Sequence, residues 1–279
     1  MNTTHIPIMV FRLMTWLSLD IALGAVVLTQ SIAYLFGVSM EPSVSWALFL
    51  CVWMIYTLDH LLDAKKLKKE PSMPRHTFHY RFATPIFGAL IVVAALSLIL
   101  VFYLPVATLL YGTVVAGLVG IYILLTWWLR VFIAKEVLIA TLYTVGVFLG
   151  PLSSGLVWDY SVVVVFVELW LLALINLMLF SMYEQAKDQQ DGFSSWATIF
   201  GQKQLVKMLK GAFIVLFFVL LYGFWYETGR FWFIFQLLIT VMGGFLAVLF
   251  FRREFFYQNE SYRVIGDAVF FVPVLVFLF

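Results

Sequence analysis

Charged residues and cysteine are both scarce in this sequence. Charged side chains make up 11% of the 279 residues, and 64% of the residues are hydrophobic. In soluble domains about a quarter of the residues are charged and about half are apolar, so this composition excludes a soluble globular protein. The single cysteine, Cys51, excludes an internal disulfide and any cysteine-based metal or redox motif. Because Cys51 lies in an apolar run, we expect it to pack in the interior.

The chain also lacks the excess of positive charge that marks a nucleic-acid-binding protein. Its formal net charge is +2, which gives no reason to expect a nucleic-acid partner. The mean hydropathy of +1.02 instead indicates that most of the chain is in contact with a lipid bilayer.

Nine stretches are long and apolar enough to cross a bilayer core, which is about 30 Å thick, as helices. They are bounded by proline, glycine and charge clusters, and they lie at about 14–38, 44–64, 83–103, 106–127, 134–155, 161–183, 207–226, 231–250 and 263–279. Such long runs favour helices over the short alternating strands of a membrane barrel. We therefore predict an all-α, polytopic membrane protein with about nine transmembrane helices, forming one domain over 1–279.

The basic residues alternate between the predicted connections. The connections at 65–82, 128–135, 184–210 and 251–263 are rich in lysine and arginine, whereas the intervening ones hold only Arg230. Because basic loops remain in the cytoplasm, this pattern predicts a cytoplasmic N-terminus and an external C-terminus. We expect the membrane to be a bacterial inner (plasma) membrane.

Two pairs of acidic residues each close a predicted span on the cytoplasmic side. Asp59 and Asp63 end the second span, and Glu184 and Asp188 end the sixth. The shared i, i+4 spacing puts the carboxylates of each pair on one helix face, about 6 Å apart. Either pair alone would be typical of a solvated helix end, but the repetition indicates a common site. Carboxylates without nearby histidine or cysteine suit Mg²⁺ and a phosphate ligand, and basic loops flank both pairs.

These residues carry a resemblance to a known family. The stretch EQAKDQQDGFSSWATIFG, residues 184–201, resembles the second acidic motif of the UbiA superfamily of membrane prenyltransferases. Asp188, Gly192 and Gly201 match that motif's spacing, and Glu184 replaces an aspartate. The stretch IYTLDHLLD resembles the first motif, NxxxDxxxD, and KEVLIATLYTVGVFLGP is similar to the family's fifth helix. The resemblance covers most of the chain.

The resemblance implies a UbiA-like bundle of two helical halves and a Mg²⁺-dependent reaction. A prenyl group would move from a prenyl diphosphate to an aromatic or other lipophilic acceptor. Asp59, Asp63, Glu184 and Asp188 would be the metal ligands and the catalytic carboxylates.

Three basic residues are candidates for binding the diphosphate. Arg75 stands in a place similar to the family's Arg-Pro after the first motif, and Lys135 and Lys187 are the other two candidates. His76 and His79 share the loop with Arg75. They are candidates for capping the pocket or removing a proton, or else they are ordinary interfacial residues.

Two departures from the family pattern leave other functions open. Ile55 stands where the first motif has asparagine, and Ser181 stands where many members have a third acidic residue, so both departures predict weaker metal binding. The alternatives are an intramembrane terpene cyclase, a family member that binds without catalysis, and a transporter. Transport is disfavoured because the acidic pairs lie at one membrane face rather than at mid-bilayer.

Four further acidic residues, Asp20, Glu136, Glu168 and Asp267, are predicted within spans or at their ends, where ionisable groups usually face a cavity or a partner. Glu136 follows Lys135 and is expected to pair with it locally. Asp267 lies four residues after Arg263, so we expect these two side chains to form a salt bridge.

Overall fold

The structure is a computed structural model that describes residues 13–66, 71–127, 135–257 and 260–279, with residues 125–127 described by their backbone alone. Across these ranges the regular structure is helical and no strand occurs. The predicted all-α fold class is therefore confirmed.

The helices follow one another with short connections. They are α1 Leu19–Leu35, α2 Pro42–Lys66, α3 Pro74–Arg81, α4 Ala83–Val101, α5 Val106–Trp127, α6 Lys135–Ser153, α7 Tyr160–Asp191, α8 Trp196–Phe200, α9 Gln202–Tyr226, α10 Arg230–Phe251, α11 Arg253–Tyr257 and α12 Ser261–Ala268, followed by a 3₁₀ helix, Val269–Leu278. In this part of the chain, eight helical segments are long and apolar enough to cross a membrane, and α1 is a shorter apolar helix. The nine predicted spans are thus approximately right, and the chain is an integral multi-pass membrane protein.

Two helices differ from the predicted spans. The sixth span was expected to end near residue 183, but α7 has 32 residues and continues to Asp191, because Glu, Gln, Ala and Lys in this stretch favour helix. The whole second acidic motif is therefore helical up to Gly192. The last span begins as α12 and continues as a 3₁₀ helix that contains Pro273.

Helix α7 is the centre of the bundle. It packs against α6, α9, α10 and α12, while α1 packs against α2, α6 and the C-terminal 3₁₀ helix. Leu172, Ile175 and Met178 of α7 are almost completely buried. By contrast, most side chains of α4 and α5 are exposed, as expected for helices that face lipid.

Cys51 lies on the exposed side of α2. The expectation that it packs in the interior was therefore wrong, because an apolar surface in a membrane protein faces lipid as readily as the core.

The two glycines of the second motif both have backbone conformations that L-residues avoid. Gly192 ends α7 with φ 76°, and Gly201 precedes α9 with φ 78°. At Gly192 an added Cβ would meet no atom within 4 Å. The glycine is therefore required by the left-handed backbone and not by lack of space.

We expect Gly192→Ala to destabilise the protein by about 1 kcal/mol, because a left-handed conformation costs an L-residue roughly 1–2 kcal/mol. The measurement is the free energy of unfolding of the purified protein in a mixed-micelle titration.

Gly211→Ala is the matched control, since Gly211 lies inside α9 with no atom within 4 Å of an added Cβ. Alanine should leave stability unchanged or raise it there. Equal losses at the two positions would contradict this explanation of Gly192.

Candidate active site

Both acidic pairs border one cavity of about 850 Å³. Asp59 and Asp63 reach it from the end of α2, and Glu184 and Asp188 reach it from the end of α7. The helix ends that carry the two motifs therefore meet at the same face of the bundle, as their repetition in the sequence predicted. The start of α6, the start of α12 and the segment after Gly192 also contribute to the walls.

Of the four carboxylates, Glu184 accepts the most hydrogen bonds from the described residues. Arg263 donates to its Oε1 through Nη2 at 2.6 Å and Nε at 3.0 Å, and the Tyr262 hydroxyl donates to the same oxygen at 3.1 Å. Arg75 Nη2 donates to Oε2 at 3.3 Å. All these side chains are largely buried, so two guanidinium groups neutralise Glu184 inside the protein.

The expected salt bridge between Arg263 and Asp267 was wrong. Their spacing puts both on one face of α12, but the Arg263 guanidinium turns to Glu184 of α7 and lies over the ring of Phe180, 4.4 Å from its centre. Asp267 Oδ2 is buried and has no hydrogen-bond partner among the residues that the structure describes.

The three residues predicted to bind the diphosphate differ in their position relative to the cavity. Arg75 and Lys135 line the cavity, and Lys135 lies within electrostatic range of Asp59 and Asp63. Lys187 does not line the cavity but donates to Glu260 Oε1 at 2.5 Å, so the structure does not support its predicted contact with a diphosphate.

Arg263 is a cation of the cavity that the sequence reasoning missed. It was assigned to the charge pattern of the loops and to Asp267. One sequence feature could have indicated that Arg263 lines the cavity. It stands at the start of the last predicted span, on the same side of the membrane as the expected metal site.

Side chains from other elements fix the ends of the second motif. Asp191 accepts from the Ser72 backbone N–H at 2.9 Å and the Ser72 hydroxyl at 2.9 Å, which holds the segment before Arg75 against α7. Glu136 Oε1 accepts from the Trp196 N–H at 2.7 Å, and so Glu136 holds the start of α8 and does not simply pair with Lys135. Ser181, the departure from the family pattern, accepts from the Ala197 N–H at 2.8 Å.

Three histidines pack together beside the cavity. The ring centres of His60 and His76 are 6.0 Å apart, and those of His60 and His79 are 4.9 Å apart. His79 Nδ1 lies 2.9 Å from the Arg75 carbonyl oxygen, to which a ring N–H donates. Burial, together with the Arg75 charge, lowers the pKa of His76 to about 2, and burial lowers the pKa of His79. Both are therefore neutral at pH 7, and neither is an exposed interfacial residue.

The carboxylates suit a cation that arrives with a phosphate ligand better than one bound by the protein alone. No three acidic, histidine or cysteine side chains of the described residues are close enough together to hold a metal. Two pairs of oxygen donors from different helices line the cavity, and such donors match Mg²⁺, which usually takes a few carboxylates and completes its shell with water and phosphate oxygens.

No protein-family model matches the chain, and no curated protein matches its sequence. Solved structures do match the fold. A UbiA homolog from Archaeoglobus fulgidus bound to GPP and Mg²⁺ has a TM-score of 0.65 at 12% identity, over 95% of this chain and all of that one. The same homolog bound to DMAPP and Mg²⁺ has a TM-score of 0.63 at 12% identity, over 94% of this chain and 98% of that one. The apo UbiA homolog from Aeropyrum pernix K1 has a TM-score of 0.64 at 12% identity, over 95% and 96%. The chain thus has the UbiA fold along nearly its whole length, and the resemblance drawn from the two motifs is confirmed at the level of fold.

We expect the contact between Arg263 and Glu184 to stabilise the folded protein strongly. Arg263→Met should cost about 3 kcal/mol, because it leaves a buried carboxylate with one fewer partner. In a Glu184→Gln background the same substitution should cost less by at least about 1 kcal/mol. The measurement is a double-mutant cycle on the free energy of unfolding.

Arg252→Met is the control, since Arg252 is an exposed arginine at the end of α10 and should contribute little. If the losses in the free energy of unfolding caused by Arg263→Met and Glu184→Gln simply add in the double variant, the two side chains do not interact.

We expect His76 and His79 each to contribute a loss of stability as the pH is lowered from 7 to 5. His76 and His79 have lowered pKa values in the folded protein, whereas the pKa of an unfolded histidine is about 6.5. Below pH 6.5 the unfolded chain therefore binds protons that the folded chain does not, which destabilises the fold by up to ~1.4 kcal/mol per pH unit for each such histidine. Melting temperatures of the unaltered chain and of a His76→Asn variant across this range give the contribution of His76 as their difference.

His76→Asn should flatten this pH profile, because it removes one of the titrating groups while keeping a polar side chain of similar reach. An identical slope in the variant would mean that His76 is already protonated, or not buried, in the folded protein.

Proposed function

We propose that this protein is a Mg²⁺-dependent integral membrane prenyltransferase that moves a prenyl group from a prenyl diphosphate to a lipophilic acceptor. One observation carries the proposal. The two acidic helix ends and the cations Arg75, Lys135 and Arg263 line a single cavity in a chain of UbiA fold. The comparison structures with GPP or DMAPP and Mg²⁺ support it as likenesses of fold.

Each wall of the cavity has its own role in this reaction. Asp59 and Asp63 from α2, and Asp188 and Glu184 from α7, would hold Mg²⁺, and the metal would supply positive charge to offset that of the departing diphosphate. The cations Arg75, Lys135 and Arg263 bind the remaining phosphate oxygens. The allylic C–O bond breaks with its electron pair leaving on the diphosphate. A nucleophilic atom of the acceptor then bonds to the allylic carbon and gives up a proton.

The ion pairs of Glu184 suggest how substrate and metal enter together. A diphosphate is a stronger partner for a guanidinium group than a single carboxylate, because it offers more charge and more acceptor oxygens. Its arrival would draw Arg75 and Arg263 away from Glu184 and free that carboxylate for Mg²⁺. Glu184 would therefore become a metal ligand only when the diphosphate is present.

The rest of the cavity suits a hydrocarbon chain. Its volume of about 850 Å³ lies within the range of ligand pockets, roughly 300–1,000 Å³. Phe180, Phe270 and Tyr143 contribute aromatic rings to the lining, and ring faces favour a developing carbocation. We propose that this end of the bundle faces the cytoplasm, because basic connections remain on that side. The N-terminus would then be cytoplasmic and the C-terminus external, in what we propose is a bacterial inner membrane.

A second candidate is a protein that binds prenyl diphosphates without turnover. Ile55 in place of the motif asparagine and the neutralised Glu184 both favour it, because each weakens metal binding. The two candidates share a diphosphate site and differ only in the release of diphosphate.

The test is thermal stability of the purified full-length protein with geranyl diphosphate, with and without Mg²⁺, together with an assay of diphosphate release. We expect stabilisation that needs both additions, about 2.7 kcal/mol at a hundredfold excess over Kd. Asp59→Asn and Asp188→Asn should each abolish it, since each removes one charge from a wall of the site.

Asp159→Asn is the control, because Asp159 caps the opposite end of α7, accepting from the Val162 N–H at 2.9 Å, and asparagine caps a helix equally well. It should respond to geranyl diphosphate like the unaltered chain. Stabilisation without diphosphate release across a panel of lipophilic acceptors would favour the binding protein. No response to geranyl diphosphate would overturn both candidates.

A further inference from the structure

Three lysines lie on one face at the start of α9. They are Lys203, Lys207 and Lys210, and all three are exposed. Their spacing of four and three residues puts them on one side of the helix, over about 10 Å of its length. The opposite side of α9 packs into the bundle, where Leu205 and Leu209 are completely buried. The three lysines therefore face away from the protein.

These lysines have no partner within the part of the chain that the structure describes. No ion pair or hydrogen bond joins any of them to another described residue. Other basic side chains at this end of the bundle do have partners, namely Lys66 with Asp63, Lys187 with Glu260, and Arg263 with Glu184. A preference for basic residues on one side of a membrane explains where the lysines occur, but it does not require three unpaired ones on a single helix face.

The acidic side chains that precede α9 leave this charge uncompensated. Glu184, Asp188 and Asp191 are all buried. Glu184 contacts two arginines, and Asp191 accepts from the backbone and hydroxyl of Ser72. Asp188 lines the cavity, whereas none of the three lysines does. The positive charge on α9 is therefore separate from the proposed diphosphate site and open to a negatively charged partner from outside the described chain.

The same face of α9 continues as a row of apolar side chains. The next positions at spacings of four and three residues are Ile214, Phe218, Leu221 and Trp225, which are all exposed. Because α9 is long and apolar enough to cross a membrane, these side chains face lipid tails. From Ile214 to Trp225 the row covers about 16 Å of helix, and one leaflet of a bilayer core is about 15 Å thick. A lipid with its headgroup at the lysines would have its tails along this row.

We propose that Lys203, Lys207 and Lys210 bind the headgroup of a phospholipid that carries a net negative charge. The tails of this lipid lie along the apolar row that begins at Ile214. The partner is a lipid and not a free phosphate, because the charged and the apolar side chains form one continuous face. A net negative charge is favoured, because each lysine near an anionic lipid surface strengthens binding about fivefold. The inference is independent of the proposed prenyl transfer.

The test is native mass spectrometry of the purified full-length protein, titrated in detergent with either of two lipids. Palmitoyl-oleoyl phosphatidylglycerol is anionic, and palmitoyl-oleoyl phosphatidylcholine has the same tails and no net charge. Because several lysines contribute, we expect the first anionic lipid to bind roughly tenfold or more tightly than the uncharged one. Lys203→Gln combined with Lys207→Gln should weaken the anionic lipid by roughly tenfold or more and leave the uncharged lipid unchanged. Lys203→Arg combined with Lys207→Arg should bind both lipids like the unaltered chain.

The matched control is Lys65→Gln combined with Arg252→Gln, which removes the same charge from the same end of the bundle. Both side chains are exposed, at the ends of α2 and α10. This variant should keep the affinity for the anionic lipid, because solvent and salt screen charges that do not touch it. Equal losses in the two glutamine variants, or equal binding of the two lipids by the unaltered chain, would overturn the inference.

Inorganic phosphate in large excess distinguishes a lipid from a free anion. We expect it not to displace the anionic lipid, because it has no tails to contact the apolar row. Displacement would refute the choice of a lipid. Melting temperatures without added lipid should be the same for the unaltered chain and both glutamine variants, since the substituted side chains are exposed. If the α9 double variant is less stable, the single variants Lys203→Gln and Lys65→Gln decide the comparison.

Discussion

The buried contact of Glu184 with Arg263 and Arg75 is the interaction on which the site depends. It joins the end of the central helix α7 to the start of α12 and to α3, three elements that are far apart in sequence. Charges buried in this way are stable only as partners, because each alone would lose its hydration without compensation. The contact therefore holds two cations among the residues that line the cavity, where the proposed diphosphate needs them.

Local patterns in the sequence predicted the helices and the placement of the acidic pairs well. Hydropathy alone locates the spans, because a bilayer demands about 20 apolar residues in a helix. The i, i+4 spacing puts Asp59 with Asp63 and Glu184 with Asp188 on one helix face. The repetition of that spacing predicted that the two pairs share a site, and in the structure both pairs line one cavity.

Partners across helices could not be predicted in this way. Arg263 and Glu184 are 79 positions apart, and the nearer candidate for Arg263 was Asp267, on its own helix. Lys187 lies between the two acidic residues of the second motif, yet its side chain turns to Glu260. Burial of His76 and His79 also depends on how α3 packs against α2, which no local spacing encodes.

The fold and the chemistry of the cavity are supported by different observations. At 12% identity the comparison structures establish the fold alone. Any inference about the chemistry of the cavity therefore rests on the side chains of this chain. Those side chains gather opposite charges around Glu184, where Arg75 and Arg263 contact it.

The most direct test of this account is an experimental structure of the full-length protein with Mg²⁺ and geranyl S-thiolodiphosphate, which resists ionisation. The account predicts a diphosphate between the two acidic helix ends, with Arg75 and Arg263 on its phosphate oxygens and Glu184 released toward the metal. A ligand bound elsewhere, or one bound while both arginines still contact Glu184, would contradict it.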